Sequence, residues 1–272
     1  MPKPLVRVPR SIWRASGVTE AERAIPEETA IAFTFNTATY AVMMATPQDL
    51  EDFAIGFSLT EGVISSIDAI EQVDIVEEEI GIELRIWLKA REAVEFLGRR
   101  RKMAGPTGCG LCGIESLSEA MRPPPKVAEG RAFTPDEIMA AVGSLPPMQM
   151  LNHETRAVHA AGFYEPGRGP IALREDVGRH NALDKLAGAL AREGASAREG
   201  LVVLTSRMSI EMVQKAAMIG ATVVVAVSAP TALAVRMAEA AGMTLIAIAR
   251  KDGFEIFTHP HRVKGKIASH VA

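Results

Sequence analysis

Hydrophobic and polar positions change rhythm several times along the chain. Residues 1–26 show no clear period and scatter Pro2, Pro4, Pro9 and Pro26 among Lys3, Arg7, Arg10, Arg14 and Arg23. They read as an extended basic arm, ordered in part by packing on something else. Residues 30–35 and 39–45 are β-favouring runs on either side of Asn36 and Thr37, the pattern of a hairpin. Thr46 and Pro47 then offer an N-cap and a first helical residue, with Asp49, Glu51 and Asp52 in the opening turns. Leu50, Phe53, Ala54, Phe57 and Leu59 recur at helical spacing as far as a stop at Gly62. Strands at 69–77 and 81–88 and a short helix at 91–101 complete a small α+β domain, placed at 27–125.

The stretch 99–126 has a different composition. A basic run of Arg99, Arg100, Arg101 and Lys102 leads into a Gly-rich segment holding Cys109 and Cys112, then Pro123, Pro124 and Pro125. Such a segment cannot build a core and reads as exposed loop and linker. Thr134, Pro135, Asp136 and Glu137 spell a capping box, opening a helix to about Leu145. From there strands and helices alternate. Strands are predicted at 157–164, 170–174, 201–205, 222–227 and 244–249. Helices are predicted around 182–190, up to 219, and at 231–241. Run 222–227 is apolar throughout, as expected of a strand covered on both faces. The fold class is therefore α/β: the small α+β domain, followed at 126–272 by a domain with a mixed, largely parallel sheet and helices on both sides.

Composition narrows the function classes. With 48% apolar and 23% charged residues, this is an ordinary globular composition. The net charge of −3 gives no general case for nucleic-acid binding. No apolar run reaches the length of about 18 residues needed to span a membrane, and no secretory leader is recognisable at the start. Two cysteines, three positions apart, supply no disulfide framework. They suit a reducing compartment and a chemical use, so the expected location is cytoplasmic.

Four constellations could carry chemistry. The first is Cys109 and Cys112 among Gly108, Gly110 and Gly113. Glycines leave sulfur uncovered and let backbone N–H groups converge, and the nearby basic run favours thiolate, the reactive form. Zinc ligation, dithiol–disulfide exchange and carriage of a persulfide sulfur all fit. Zinc is the weakest of these, because no second ligand pair accompanies the cysteines. The second is the segment from Arg174 to Lys185, where Gly178 permits a turn and Asp176 can cap. There Arg179, His180 and Asn181 meet the unpaired N–H groups that bind phosphates. The third runs from Thr205 to Lys215. Ser206 and Ser209 offer caps or hydroxyl donors, and Arg207 suits bidentate phosphate contact. In the same segment Glu211 could accept guanine protons or simply complement a helix dipole. The methionines at 208, 212 and 218 read as core filler. The fourth is Ile248, Ala249, Arg250, Lys251, Asp252 and Gly253, after the last parallel strand. Ligands of open α/β sheets gather beyond the carboxyl ends of strands, so these last three loops predict one nucleotide- or phosphate-sized pocket.

Several of these segments together resemble the FdhD family of formate dehydrogenase accessory sulfurtransferases. The match takes in Met43 to Pro47 with Asp49 to Phe53, Glu61 and Gly62, Gly108 to Gly113, His159 to Ala161, Arg174 to Lys185, Ser206, Arg207 and Ser209, and Phe257 to Pro260. The resemblance implies a carrier that takes sulfur from a cysteine desulfurase as a persulfide on Cys109. That sulfur goes to the molybdenum bis(molybdopterin guanine dinucleotide) cofactor of formate dehydrogenase. The role of Cys112 stays open. It further implies a cofactor-binding region at 248–253, to which Arg179, His180, Ser206 and Arg207 add the polar side chains. GDP is the expected mimic of the cofactor's arms. A homodimer and a C-terminal domain similar to cytidine deaminases, built as three αβα layers, are implied as well. Two positions depart from the family pattern: Arg156 and Ala157 replace glycines ahead of His159, and Thr37 replaces the hairpin glycine. His159 is followed by Ala160 and Ala161, not the H-x-E and P-C-x-x-C set that a deaminase needs. The rival readings are a cofactor-binding chaperone that carries no sulfur and a thiol–disulfide oxidoreductase.

Overall fold

The computed structural model describes residues 1–100 and 121–265. The arm is more ordered than its sequence pattern predicts. Strands β1 (Leu5–Arg14) and β2 (Gly17–Pro26) pair antiparallel from Leu5 with Pro26 out to Arg14 with Gly17. Periodicity could not reveal this ribbon, because most of it is wet on both faces and alternation carries no apolar signal there. Pro9 is tolerated because β1 has a partner on one side only.

The first sheet runs in the order β4 (Ala38–Ala45), β3 (Thr29–Phe35), β6 (Gly81–Leu88), β5 (Ile70–Glu78), with β3 and β6 parallel. Helices α1 (Leu50–Thr60) and α2 (Ala90–Arg100) complete this unit. Its core is aromatic: Phe33 stacks on Phe57 with ring centroids 4.0 Å apart and meets Phe53 edge-on. The predicted cap at Thr46 does not form. Helix α1 begins at Leu50 after Asp49, whose φ is 53° and whose side chain caps nothing. Thr46 instead donates its N–H to Asp176 at 3.0 Å and accepts from the Val177 N–H at 3.1 Å. A buried carboxylate offers a charge-assisted bond that outweighs a local cap.

The C-terminal unit opens with α3 (Pro135–Met148), whose capping box of Thr134 and Glu137 forms as predicted, and α4 (Met150–Thr155). There follow β7 (His159–Glu165), β8 (Gly169–Asp176), α5 (Arg179–Glu193), β9 (Leu201–Leu204) and α6 (Ile210–Met218). The unit ends with β10 (Val223–Ala226), α7 (Ala232–Ala241), β11 (Thr244–Arg250) and β12 (Gly253–Ile256). Among the described residues these strands form one mixed sheet, β12-β11-β10-β9-β7-β8. It is less parallel than expected: only β9 with β10 and β10 with β11 pair in parallel. The short connection between β7 and β8 makes an antiparallel hairpin, and β12 folds back antiparallel along β11. Val202, Leu204, Val224, Ala226 and Leu245 pack toward α5, α6 and α7, while Leu201, Val203, Val223, Val225 and Ile246 pack toward α3. That alternation makes the three layers.

The two units meet where α1 crosses α5. A Cβ on Gly56 would stand 1.6 Å from the Asp184 carbonyl oxygen, and one on Gly188 would stand 1.9 Å from that of Asp52. Only glycine lets the two backbones touch. Around the crossing, Asp52 pairs with Arg174 at 2.7 Å and with Arg192 at 2.9 Å. Among the described residues no helix is long and apolar enough to cross a membrane.

Candidate functional site

Strands β8, β9, β10 and β11 all end at one edge of the sheet, and β7 begins there, so five connections converge. Three of these connections open helices, and the one into α7 is capped by Thr231, which accepts from the Ala234 N–H. Gly178 precedes α5 and Ser209 precedes α6, neither with a side-chain cap, so unpaired backbone N–H groups face this edge from both. Around them stand His159, Arg179, His180, Arg207 and Glu211. Four polar atoms here are buried without a hydrogen-bond partner: Arg179 Nε, His180 Nε2, Ser209 Oγ and Glu211 Oε2. His180 Nε2 and Glu211 Oε2 are 4.0 Å apart, beyond hydrogen-bond reach. Orphaned groups of this kind are costly unless a ligand completes them. Burial, with the charges of Arg179 and Lys215, pushes the His180 pKa down to about 4, so the imidazole is neutral at pH 7. Burial and the guanidinium groups of Arg179 and Arg207 lower His159 also, against the pull of Asp176. The site therefore offers fixed guanidinium charge, two helix N-termini, neutral imidazoles and one carboxylate. That set fits an anionic ligand that also carries N–H donors.

The structure sorts the predicted residues. Arg179, His180 and Arg207 meet at this edge. Ser206 lies in the same connection, but its hydroxyl donates to the Arg207 carbonyl at 3.1 Å. Ile248, Ala249, Arg250, Lys251, Asp252 and Gly253 lie two strands along, about 10 Å of sheet from β9. Ala249 is core beneath α3, so any ligand contact there runs through backbone. Ile248 has a φ of 53° and donates its N–H to Ser228, while Arg250, Lys251 and Asp252 are exposed at the turn into β12. Cys109 and Cys112 lie outside the described residues. Arg122 does not: its carbonyl accepts from Gln214 Nε2 at 2.7 Å, on α6 one turn beyond Glu211.

Most of the segment from Arg174 to Lys185 does not face the site. Glu175 accepts the N–H groups of Leu151 and Asn152, both at 2.8 Å, and so caps α4. Asp176 is not the predicted N-cap of α5. It is fully buried, 2.6 Å from the Lys185 ammonium, and also accepts from Thr46, Gly178 and Asn181. Asn181 also donates to the Met44 carbonyl at 2.9 Å.

A buried cluster unforeseen from the sequence lies beneath. Lys215 donates to Glu61 at 2.6 Å, to Asp184 at 2.9 Å and to Thr60 at 3.1 Å, joining α6, α1 and α5. Two carboxylates share one ammonium. Burial pushes Asp184, the deeper of them, up to about 6 despite Lys215. Burial works against the Glu61 carboxylate too, but Lys215 more than offsets it and holds its pKa low. The available signal was charged residues within an apolar helical pattern, Asp184 and Lys185 amid Ala182, Leu183, Leu186 and Ala187.

Known proteins are similar to this chain in sequence and in fold. A model of the FdhD/NarQ family matches residues 26–264. The sulfur carrier protein FdhD of Agrobacterium fabrum is 52% identical across 94% of this chain and 95% of its own length. That of Brucella abortus is 55% identical across 92% and 93%. The crystal structure of a candidate formate dehydrogenase accessory protein from Desulfotalea psychrophila superposes with a TM-score of 0.74 at 25% identity. That superposition covers 96% of this chain and 99% of the other.

Proposed function

The chain belongs to the FdhD/NarQ family, and from that premise we propose that it is a sulfur carrier serving formate dehydrogenase. Sulfur enters as a persulfide: the Cys109 thiolate attacks the outer sulfur of a cysteine desulfurase persulfide, and the desulfurase thiolate leaves. The acceptor is the molybdenum bis(molybdopterin guanine dinucleotide) cofactor, bound as substrate at the carboxyl edge of the C-terminal sheet. The protein works in the cytoplasm as a homodimer, on a C-terminal domain of cytidine-deaminase-like architecture without deaminase chemistry.

The observation that carries this reading is the cluster of buried, unpartnered polar atoms on Arg179, His180, Ser209 and Glu211 between two uncapped helices. A guanine dinucleotide arm has what they lack: pyrophosphate oxygens for guanidinium and backbone N–H groups, and base N–H groups for a carboxylate. The exposed backbone at 248–253 would hold a further part of so large a ligand. Arg122 adds the link to the thiols. Its carbonyl is held by Gln214 of α6, and it lies ten residues beyond Cys112 in sequence, a length of chain that spans at most about 36 Å.

The test is intact-mass measurement after incubation with a cysteine desulfurase and cysteine. One sulfur should add about 32 Da, and Cys109→Ala should abolish the adduct. A chaperone that carries no sulfur would show no adduct with a competent desulfurase. An oxidoreductase would instead lose two hydrogens, two protons and two electrons passed to a disulfide substrate, as Cys109 and Cys112 join.

A further inference from the structure

The His180 imidazole stands between two helices with no partner on Nε2. It lies in the first turn of α5, and 4.0 Å away, in the first turn of α6, Glu211 holds an Oε2 that is equally unpartnered. Their chain neighbours Arg179 and Ser209 each add a buried donor without an acceptor, Nε and Oγ. A proton would turn the imidazole and the carboxylate into an ion pair, and an acceptor from outside would complete the three donors.

In the free protein that proton is kept off. Burial opposes it first, then Arg179 on the same helix and Lys215 on α6, against the pull of Glu211 on α6 and Glu61 on α1. The positive end of the α5 dipole opposes it as well. The remaining carboxylates nearby are already taken: Glu61 and Asp184 by Lys215, and Asp176, at the end of β8, by Lys185. His159, at the start of β7, is lowered in the same way by burial, Arg179 and Arg207, and adds no charge near neutral pH.

A phosphate reverses this balance. Seated at the uncapped N-termini of α5 and α6, it accepts from Arg179 and Ser209 and offsets the guanidinium charge that repels a proton from His180. We propose that His180 takes up a proton from solvent when an anionic ligand binds, and that the imidazolium so formed lies between a phosphate oxygen and Glu211. Its Nε2–H donates to the phosphate, and the carboxylate of Glu211 supplies a second negative charge. The proton is held more tightly in the complex than in the free protein, so acid strengthens binding, and the gain is lost as pH rises through the midpoint of the complex. The inference rests on the ligand pocket proposed above and adds a protonation state that only the complex has.

GDP-mannose is the probe, because its diphosphate is esterified at both ends, as in the cofactor arm, and has no ionisation of its own near neutral pH. Calorimetry at about pH 6, in buffers of different ionisation enthalpy, should show at least about 0.4 proton taken up per ligand bound. The dissociation constant should be at least about fourfold lower at pH 5.5 than at pH 7.5, as for a midpoint moved from about 4 to about 6 or above. His180→Gln, with folding confirmed by circular dichroism, should bind without proton uptake and with an affinity indifferent to pH. If that variant does not fold, NMR of the wild-type ring gives the same answer: a midpoint near 4 in the free protein and above about 6 when saturated with GDP. Binding without proton uptake overturns the inference and leaves the pocket standing. Uptake that survives His180→Gln also overturns it, and its loss in His159→Gln would move the proton to that ring. Absence of binding by GDP-mannose and GDP alike removes the pocket, and the inference with it.

Discussion

Replacing Lys215 with Met tests whether the buried cluster joins the two units. The Lys215 ammonium is 2.6 Å from Glu61 and 2.9 Å from Asp184, and Asp184 is fully buried. Met keeps most of the aliphatic volume, so packing changes little and the loss is the charge itself. Removing one partner of a buried ion pair costs about 3–5 kcal/mol, a large share of a domain's total of about 5–15 kcal/mol. The pH dependence separates this from a packing defect. Asp184 already titrates near 6 in the folded protein, above its ordinary 3.8, so its stabilising contribution is full in acid and is lost as pH rises through 6. Without Lys215 its pKa climbs further, and that of Glu61, now held low, climbs as well. Both carboxyls then take up protons in the folded state sooner than in the unfolded chain, and the deficit shrinks on acidification. Urea unfolding at pH 8 should show the loss of about 3–5 kcal/mol, and at pH 5.5 at least about 1 kcal/mol less. Asp184→Asn on the Lys215→Met background should recover part of it at pH 8. A deficit under about 1 kcal/mol, or one unchanged between the two pH values, would refute the reasoning.

Gly56→Ala or Gly188→Ala drives a methyl group into backbone, so each should cost about 3 kcal/mol or more in thermal unfolding, and a neutral result would mean that α1 and α5 do not cross in contact. His180 should stay neutral on NMR titration down to about pH 4, and a midpoint above 6 would contradict its burial between Arg179 and Lys215. Because that pKa is depressed from 6.5, its contribution to stability is full above 6.5 and is lost as pH falls towards 4, by about 3 kcal/mol. Arg207→Ala should weaken GDP binding by about 1.5–3 kcal/mol in calorimetry, and Glu211→Gln should reduce the preference for GDP over ADP. Absence of heat and of thermal shift with GDP in the wild type would remove the pocket.

How much of this could be read from the sequence depended on whether a feature was local. The Thr134 capping box, the hairpin around Asn36 and the apolar strand at β10 declare themselves within a few residues, and all three form. The alternation in β9 and β10 between the α3 side and the α5 to α7 side does not, because both sets are apolar and only the sheet tells them apart. Thr46 shows the opposite: its local signal is a good cap, but residues far along the chain engage it, Asp176 accepting its N–H and Val177 donating to its hydroxyl oxygen. The ribbon of β1 and β2 was hidden because its alternation faces water on both sides. Three polar loops at one edge could be inferred from strand ends, since their residue types are those that bind phosphate. That Glu61 belongs under the same site could not, because nothing near it in sequence marks a partner on α6.

The density of the segment from Arg174 to Lys185 has a physical reason once its bonds are separated. A phosphate site at a helix N-terminus needs only the backbone N–H groups and a cation, which Arg179 and its neighbours supply. The other polar side chains are spent elsewhere: Arg174 on Asp52, Glu175 on α4, Asp176 on Thr46 and Lys185, and Asp184 on Lys215. These bonds reach the N-terminal unit, and through Lys215 they reach α6, whose first turn carries Glu211. The residues proposed to grip a ligand and those that hold the two units together therefore lie within one short segment of chain. Substitutions in it should fall into two kinds: Arg179 and His180 variants that fold but bind poorly, and Asp176, Asp184 and Lys185 variants that lose stability first and binding as a consequence. The shared segment also means that the contacts between the units fix where the first turn of α5, with Arg179 and His180, stands.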